Sequence, residues 1–261
     1  MRALSIVGLF LLSACVYAEG KCEIDLHGDL QITNEAIELI ERGRSYKIVA
    51  DEVLWVNNQQ IKLGKNQEVL IGQYAKDIRS LVPEVRLLAV DSIELATTAI
   101  NIMLRELLGP NHQAQKKIDS EFHLLRKNVD DYFLSEQPIR FSHDTINPAS
   151  SHRDIFGEQI EARITALVTS VGEEVAWALL KNVGTAMVSD VSFEERMERF
   201  AEKMGSGMEA RGQQVAVRAN KVCVALKNLD RQEEQLKKHI TELASFDVIR
   251  LSKVGSHTDN K

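Results

Sequence analysis

Few places in this chain of 261 residues gather side chains that could do chemistry. Ser142-His143-Asp144 holds the three residue types of a nucleophile, base and orienter. Neighbours on one strand point to opposite faces, however, so contiguous residues cannot line up as a proton relay. Glu173-Glu174 lies between Val171 and Val175, and a carboxyl drawn toward that apolar stripe would have a raised pKa suited to acid–base work. The plainer reading is a solvated pair on a polar helix face. With His143 and His152, these glutamates are the only residues from which a dispersed hydrolase site is assembled. The seven histidines form no His-Glu-x-x-His pattern, and there is no Cys-x-x-Cys. Gly205-Ser206-Gly207 lacks the lysine of a phosphate loop, and no metal, nucleotide or other cofactor is implied.

The three cysteines carry more information. Met1 to Leu12 has one basic residue followed by an apolar run too short to cross a bilayer, and small residues follow it. This is the grammar of an export signal. Val16-Tyr17-Ala18 sets up cleavage before Glu19 and a soluble protein, the preferred reading. Leu12-Ser13-Ala14-Cys15 is a lipobox, and cleavage there would end the signal at residue 14 and leave Cys15 acylated as a membrane tether. Either cut leaves Cys22 and Cys223, an even pair expected to form a disulfide in an oxidising compartment. Such a bridge closes a loop of about 200 residues and stabilises by up to roughly 5 kcal/mol in the chain-entropy account.

No second stretch of spanning length is read after the signal, so membrane contact is expected only through a lipid on Cys15. The formal charge of −6 becomes −7 when the signal and its Arg2 are removed. That balance argues against nucleic acid and anionic headgroups as partners.

The elements that would position any site follow from periodicity. Residues 19–64 alternate in short runs, Leu30–Thr33, Tyr46–Val49 and Val53–Val56, and Asn57-Asn58 suits a tight hairpin. A β-meander of four or five strands is expected, with one face packed on something else. Residues 65–151 read as a helical hairpin plus an edge strand. Helices begin at an Asn66 N-cap and again at Pro83, a third covers about Gln113 to Leu134, and Pro138–Ser142 alternates like a strand that could return to the N-terminal sheet. Residues 152–251 read as a long helical hairpin. Its first helix carries Ile160, Ile164, Leu167, Val171 and Val175 on one stripe. Its second starts at Ser192 with a capping box, is coiled-coil-like in its latter half and has a hinge at Gly205–Gly212. Residues 252–261 are read as a disordered tail. The fold class is α+β, a small antiparallel sheet followed by long helices.

One surface invites binding without catalysis. Met197, Phe200, Met204 and Met208 form a soft stripe beside the glycines, of a kind that adapts to varied apolar partners; packing against the preceding helix is the alternative. The expected partners are another envelope protein, an apolar ligand, or a second copy through the C-terminal helix.

The export signal, Cys22 just inside the mature chain, the hairpin at Asn57-Asn58, the long helices and the segment Asn220-Lys221-Val222-Cys223 together resemble the YggN-like family of proteobacterial periplasmic proteins. The resemblance spans most of the mature chain and implies a periplasmic protein of unknown function with two separated cysteines. That family has no established activity, so no catalytic or binding residues carry over. The lipobox departs from a plain secretory signal and gives the alternative of an outer-membrane lipoprotein facing the periplasm. The expectation is a non-enzymatic binding, chaperone-like or scaffold protein of the envelope. Intact mass of the exported protein tests this part: a species starting at Glu19, lighter by two hydrogens before reduction, is expected, whereas an acyl adduct on Cys15 selects the lipoprotein.

Overall fold

The computed structural model describes residues 24–109, 112–141, 165, 166, 169, 172, 173 and 193–251. Six strands form one antiparallel sheet in the order β6-β5-β4-β3-β2-β7. They are β2 (Asp29–Ile32), β3 (Ala36–Glu41), β4 (Arg44–Val49), β5 (Val53–Val56), β6 (Gln59–Gln60) and β7 (Ile139–Phe141). The first strand, β1 (Ile24–Leu26), stands apart and pairs antiparallel with the last, β8 (Ile249–Leu251). Three helices have described bounds, α1 (Lys65–Leu108), α2 (Gln113–Leu134) and α3 (Phe193–His239), and residues 165, 166, 169, 172 and 173 are helical as well.

The meander follows from alternation and turn chemistry. Ile37, Leu39 and Glu41 of β3 are buried while Ile40 is exposed, and the buried Tyr46 and Ile48 of β4 lie opposite Leu39 and Ile37. One face is therefore apolar, as period-2 patterning requires. Arg42-Gly43 and Asn57-Asn58 both have positive φ at two successive residues, the conformation that matches a tight hairpin to strand twist. The expected edge strand at 138–142 does return to the sheet, where Ile139 pairs with Ile32 and Phe141 with Leu30.

The helices differ from expectation in three ways. α1 starts from Gly64 rather than Asn66, because the Gly64 N–H donates to Gln67 Oε1 at 2.7 Å. It also runs through Pro83 without a break. The proline forfeits one backbone hydrogen bond, but packing of α1 on both α2 and α3 holds the helix on either side. α3 likewise passes through Gly205, Gly207 and Gly212 as one helix, so the expected hinge is not formed. A β-carbon on Gly207 would lie 3.4 Å from Ile102 of α1, so this glycine serves close helix contact.

α1 and α3 run antiparallel along much of their length, about 66 Å for the 44 residues of α1. The register is fixed by polar pairs on their flanks. Asp77, Glu84, Asp91 and Thr98, spaced by seven, meet Gln232, Lys221, Arg218 and Arg211, and Glu106 meets Lys203 beyond them. α2 folds back on α1 through Arg126–Glu94, Arg86–Asp130 and Asn101–Asp119. Leu104, Ala114, Ile118, Phe122 and Leu125 make a second core there. Within Lys65–Glu106 a window of 18 residues reaches a mean hydropathy of 1.5, so by length and composition this helix could cross a membrane. This corrects the reading that no such stretch follows the signal. In the fold it is the central helix of the three, lined by the ion pairs just named.

The main core lies where the sheet meets the first third of α1 and the end of α3. Residues 240–251 do not continue α3, and the expected tail at 252–261 lies outside the described residues. A 3-10 turn (Thr241–Leu243) reverses the chain, and Phe246, Val248 and Ile249 are all buried. Phe246 meets the Tyr46 ring edge-on with centroids 4.9 Å apart and Tyr74 at 5.9 Å. Replacing Phe246 with alanine is expected to cost about 3–5 kcal/mol, measurable by urea unfolding; a loss below 1 kcal/mol would show that the C-terminal segment is not part of the core.

Candidate functional site

Between the sheet, α1 and α3 lies a cavity of about 250 Å³. Its floor is built from Ile32, Leu39, Leu229, Val248 and Ile249, all buried. One wall is a stripe of α1, Tyr74, Ile78, Leu81, Val82 and Val85, whose spacings of four, three, one and three keep them on one helical face. Leu26, Leu30, Phe141 and Leu226 form the rim and are half-buried. The strand side chains reach the cavity because alternate residues of β2 and β3 point inward, and Leu30 lies opposite both Leu39 and Phe141.

Tyr74 is the lining residue with a polar side-chain atom, and that atom is spoken for. Its hydroxyl donates to Glu233 Oε1 at 2.7 Å. Glu233 is fully buried and also accepts from the Ile249 N–H, at 3.1 Å to Oε2 and 3.3 Å to Oε1. Burial pushes the Glu233 pKa up to about 8, against the opposing pull of these two hydrogen bonds, so the carboxyl is largely neutral at pH 7. Burial, then the proximity of Glu233, holds the Tyr74 phenol well above its usual range. Around this pair Asp247 accepts from Lys237 at 2.9 Å and from Arg250 Nε at 2.9 Å. Burial acts to raise the Asp247 pKa, but those hydrogen bonds outweigh it and the pKa is lowered. The backbone N–H of Asp247 reaches Glu41 Oε2 at 2.9 Å, which ties the turn to the sheet.

The residues singled out from sequence fall elsewhere. Glu173 is exposed rather than drawn into an apolar stripe, while Glu174, His143 and His152 lie outside the described residues. Cys15 and Cys22 also lie outside them; Cys223 is buried on α3, and its sulfur is already engaged. Of the methionine–phenylalanine stripe, Phe200 and Met208 are half-buried, and the side chains of Met197 and Met204 are not among those described. No group of three metal-ligating side chains occurs among the described residues. The cavity itself was missed because its lining comes from five separate stretches of chain. The legible signal was local: Tyr74, Ile78, Leu81, Val82 and Val85 make a helix stripe with one hydroxyl in it.

The chain belongs to DUF2884. This family, described as proteins of unknown function, matches residues 22–249. No curated protein and no solved structure matches the chain. The match begins at Cys22 and ends at Ile249, the first residue of β8, so it takes in the cavity lining, the Tyr74–Glu233 pair and all of β1.

In this DUF2884 chain the sign of the pH dependence is set by Glu233. Its folded pKa lies above the unfolded value, so the stability it contributes is complete below about pH 4.5 and is lost as pH rises to about 8. Between pH 5 and 8 the wild-type melting temperature is expected to fall, and Glu233→Gln, which keeps the hydrogen-bonding shape without the titration, is expected to flatten that fall. Equal slopes for the two proteins would place the titrating group elsewhere.

Proposed function

We propose that this protein is an exported, non-enzymatic cell-envelope protein that binds an apolar ligand in the cavity between its sheet and its long helices. One observation carries the reading: a cavity of about 250 Å³ lined almost entirely by aliphatic side chains. An unfilled internal void costs stability at about 24 cal/mol per Å³, on the order of 6 kcal/mol at this size if it were fully enclosed. Apolar cavities stay dry and take up apolar guests. Side chains that could fill the space are available at every wall position, since leucine, isoleucine and valine already occupy them. A ligand supplies the packing that the chain leaves out.

Export rests on the signal grammar of residues 1–18, the resemblance to the periplasmic YggN-like family, and the fate of Cys22 and Cys223. The course of β1 and β8 supports the pairing of these cysteines. Asp247 meets Lys237 and Ile249 meets Glu233, so β8 passes α3 toward lower numbers. β1 is antiparallel to β8, so tracing it back from Leu26 toward Cys22 leads the same way. Cys223 lies ten helical residues, about 15 Å, further along α3 from Glu233 in that direction. The periplasm is the compartment that this disulfide and a signal cut before Glu19 both suit; lipid on Cys15 would keep the same compartment and add a tether.

A naphthalene sulfonate dye that brightens in apolar surroundings tests the binding reading. One dye per folded chain is expected, with binding weakened at least tenfold by Val82→Trp, which fills the α1 wall. Dye binding that is absent, or that is indifferent to this substitution, would overturn the assignment of the cavity as a ligand site.

A further inference from the structure

We propose that the ligand is a single-chain lipid, bound tail-first with about ten carbons of one unbranched acyl chain inside and its headgroup left at the rim. This deepens the binding reading above and depends on it. The first argument is shape. Along α1 the wall runs from Tyr74 to Val85, eleven residues or about 16 Å of helix. If the volume of about 250 Å³ extends along that whole wall, its mean cross-section is a few ångströms wide. A channel of that form admits one extended chain and excludes fused rings or paired chains.

The second argument is polarity. Any hydroxyl, amide or carboxylate drawn inside would need a hydrogen-bonding partner, and burying it without one is costly. Among the described residues Tyr74 offers the only side-chain hydroxyl of the lining, and its proton is already donated to Glu233. Glu233 in turn is held by the Ile249 N–H. The inner end of the channel therefore presents nothing to a headgroup, whereas the half-exposed rim at Leu26, Leu30, Phe141 and Leu226 leaves water within reach of one. The third argument is length. A dry cavity of about 150 Å³ takes a six-carbon guest, and scaling by volume gives about ten carbons here.

Straight-chain fatty acids from six to sixteen carbons, titrated below their micelle concentrations into the purified full-length exported protein by calorimetry, test the inference. Each added methylene is expected to tighten binding about fourfold up to about ten carbons, after which affinity levels off. Leu226→Trp at the rim and Val85→Phe on the wall are expected to weaken decanoate at least tenfold. Val69→Trp, on a residue 70% exposed and away from the cavity, should leave it unchanged. Using two filling variants guards against one that fails to fold, and circular dichroism identifies such a case. If decanoate binds more weakly than a ring compound such as adamantane carboxylate, or shows no dependence on chain length, the acyl inference falls while the ligand site stands. If neither these acids nor the fluorescent dye bind, both readings fall.

Discussion

A single buried carboxyl holds this fold together. Glu233 lies on α3, takes its hydrogen bonds from Tyr74 of α1 and from the backbone of Ile249 in β8, and is shut away from water. Three elements converge on one group that cannot be left unpaired without a penalty of several kcal/mol, and one of them, α1, brings Tyr74 from 159 residues away. Because β8 pairs with β1, that contact also positions the start of the described chain. Keeping the acid neutral is what makes its burial tolerable: a charged carboxylate in the same place would need a cation, and the nearest ion pairs, around Asp247, lie outside it.

The same arrangement leaves the cavity where it is. α1 and α3 are pinned side by side by a regular ladder of polar contacts, which sets their separation independently of what lies beneath them. The sheet below is a separate unit whose spacing is set by its own backbone pairing. Where the two layers meet, large residues fill one end: Tyr46, Tyr74 and Phe246 interlock. At the other end the facing residues are mostly leucines, isoleucines and valines, which do not close the gap between layers whose positions are already fixed. The void thus results from two rigid units meeting, and the polar group nearest it is satisfied from behind.

Much of this was legible beforehand, and the reasons are local. The alternation through β3 and β4, the paired asparagines of the β5–β6 hairpin, the bounds of α2 and the returning strand β7 all follow from neighbours in sequence. Pro83 and the three glycines of α3 misled because their intrinsic helix penalties were read without the tertiary packing that overrides them. The segment after His239 was taken as helix because Ile240 and Leu243 keep the spacing of the preceding turns. In the fold Ile240 N–H still bonds to Leu236, but the chain then turns so that Phe246 and Val248 face the core. Glu233 looked like one acid among many on a polar helix; only its partners, brought from positions 74 and 249, distinguish it. The apolar site was invisible for the same reason: no window of sequence contains more than one of its walls.

The pairing of β1 with β8 joins residue 24 to residue 251. Contacts of such long sequence separation form late, because the loop between them must close before they return any stability. The edge strand β7 likewise waits until residue 139 is available to β2. During synthesis the early meander and α1 would thus emerge without their closing strand or the carboxyl that ties them together. The fold cannot close until residues 249–251 have appeared.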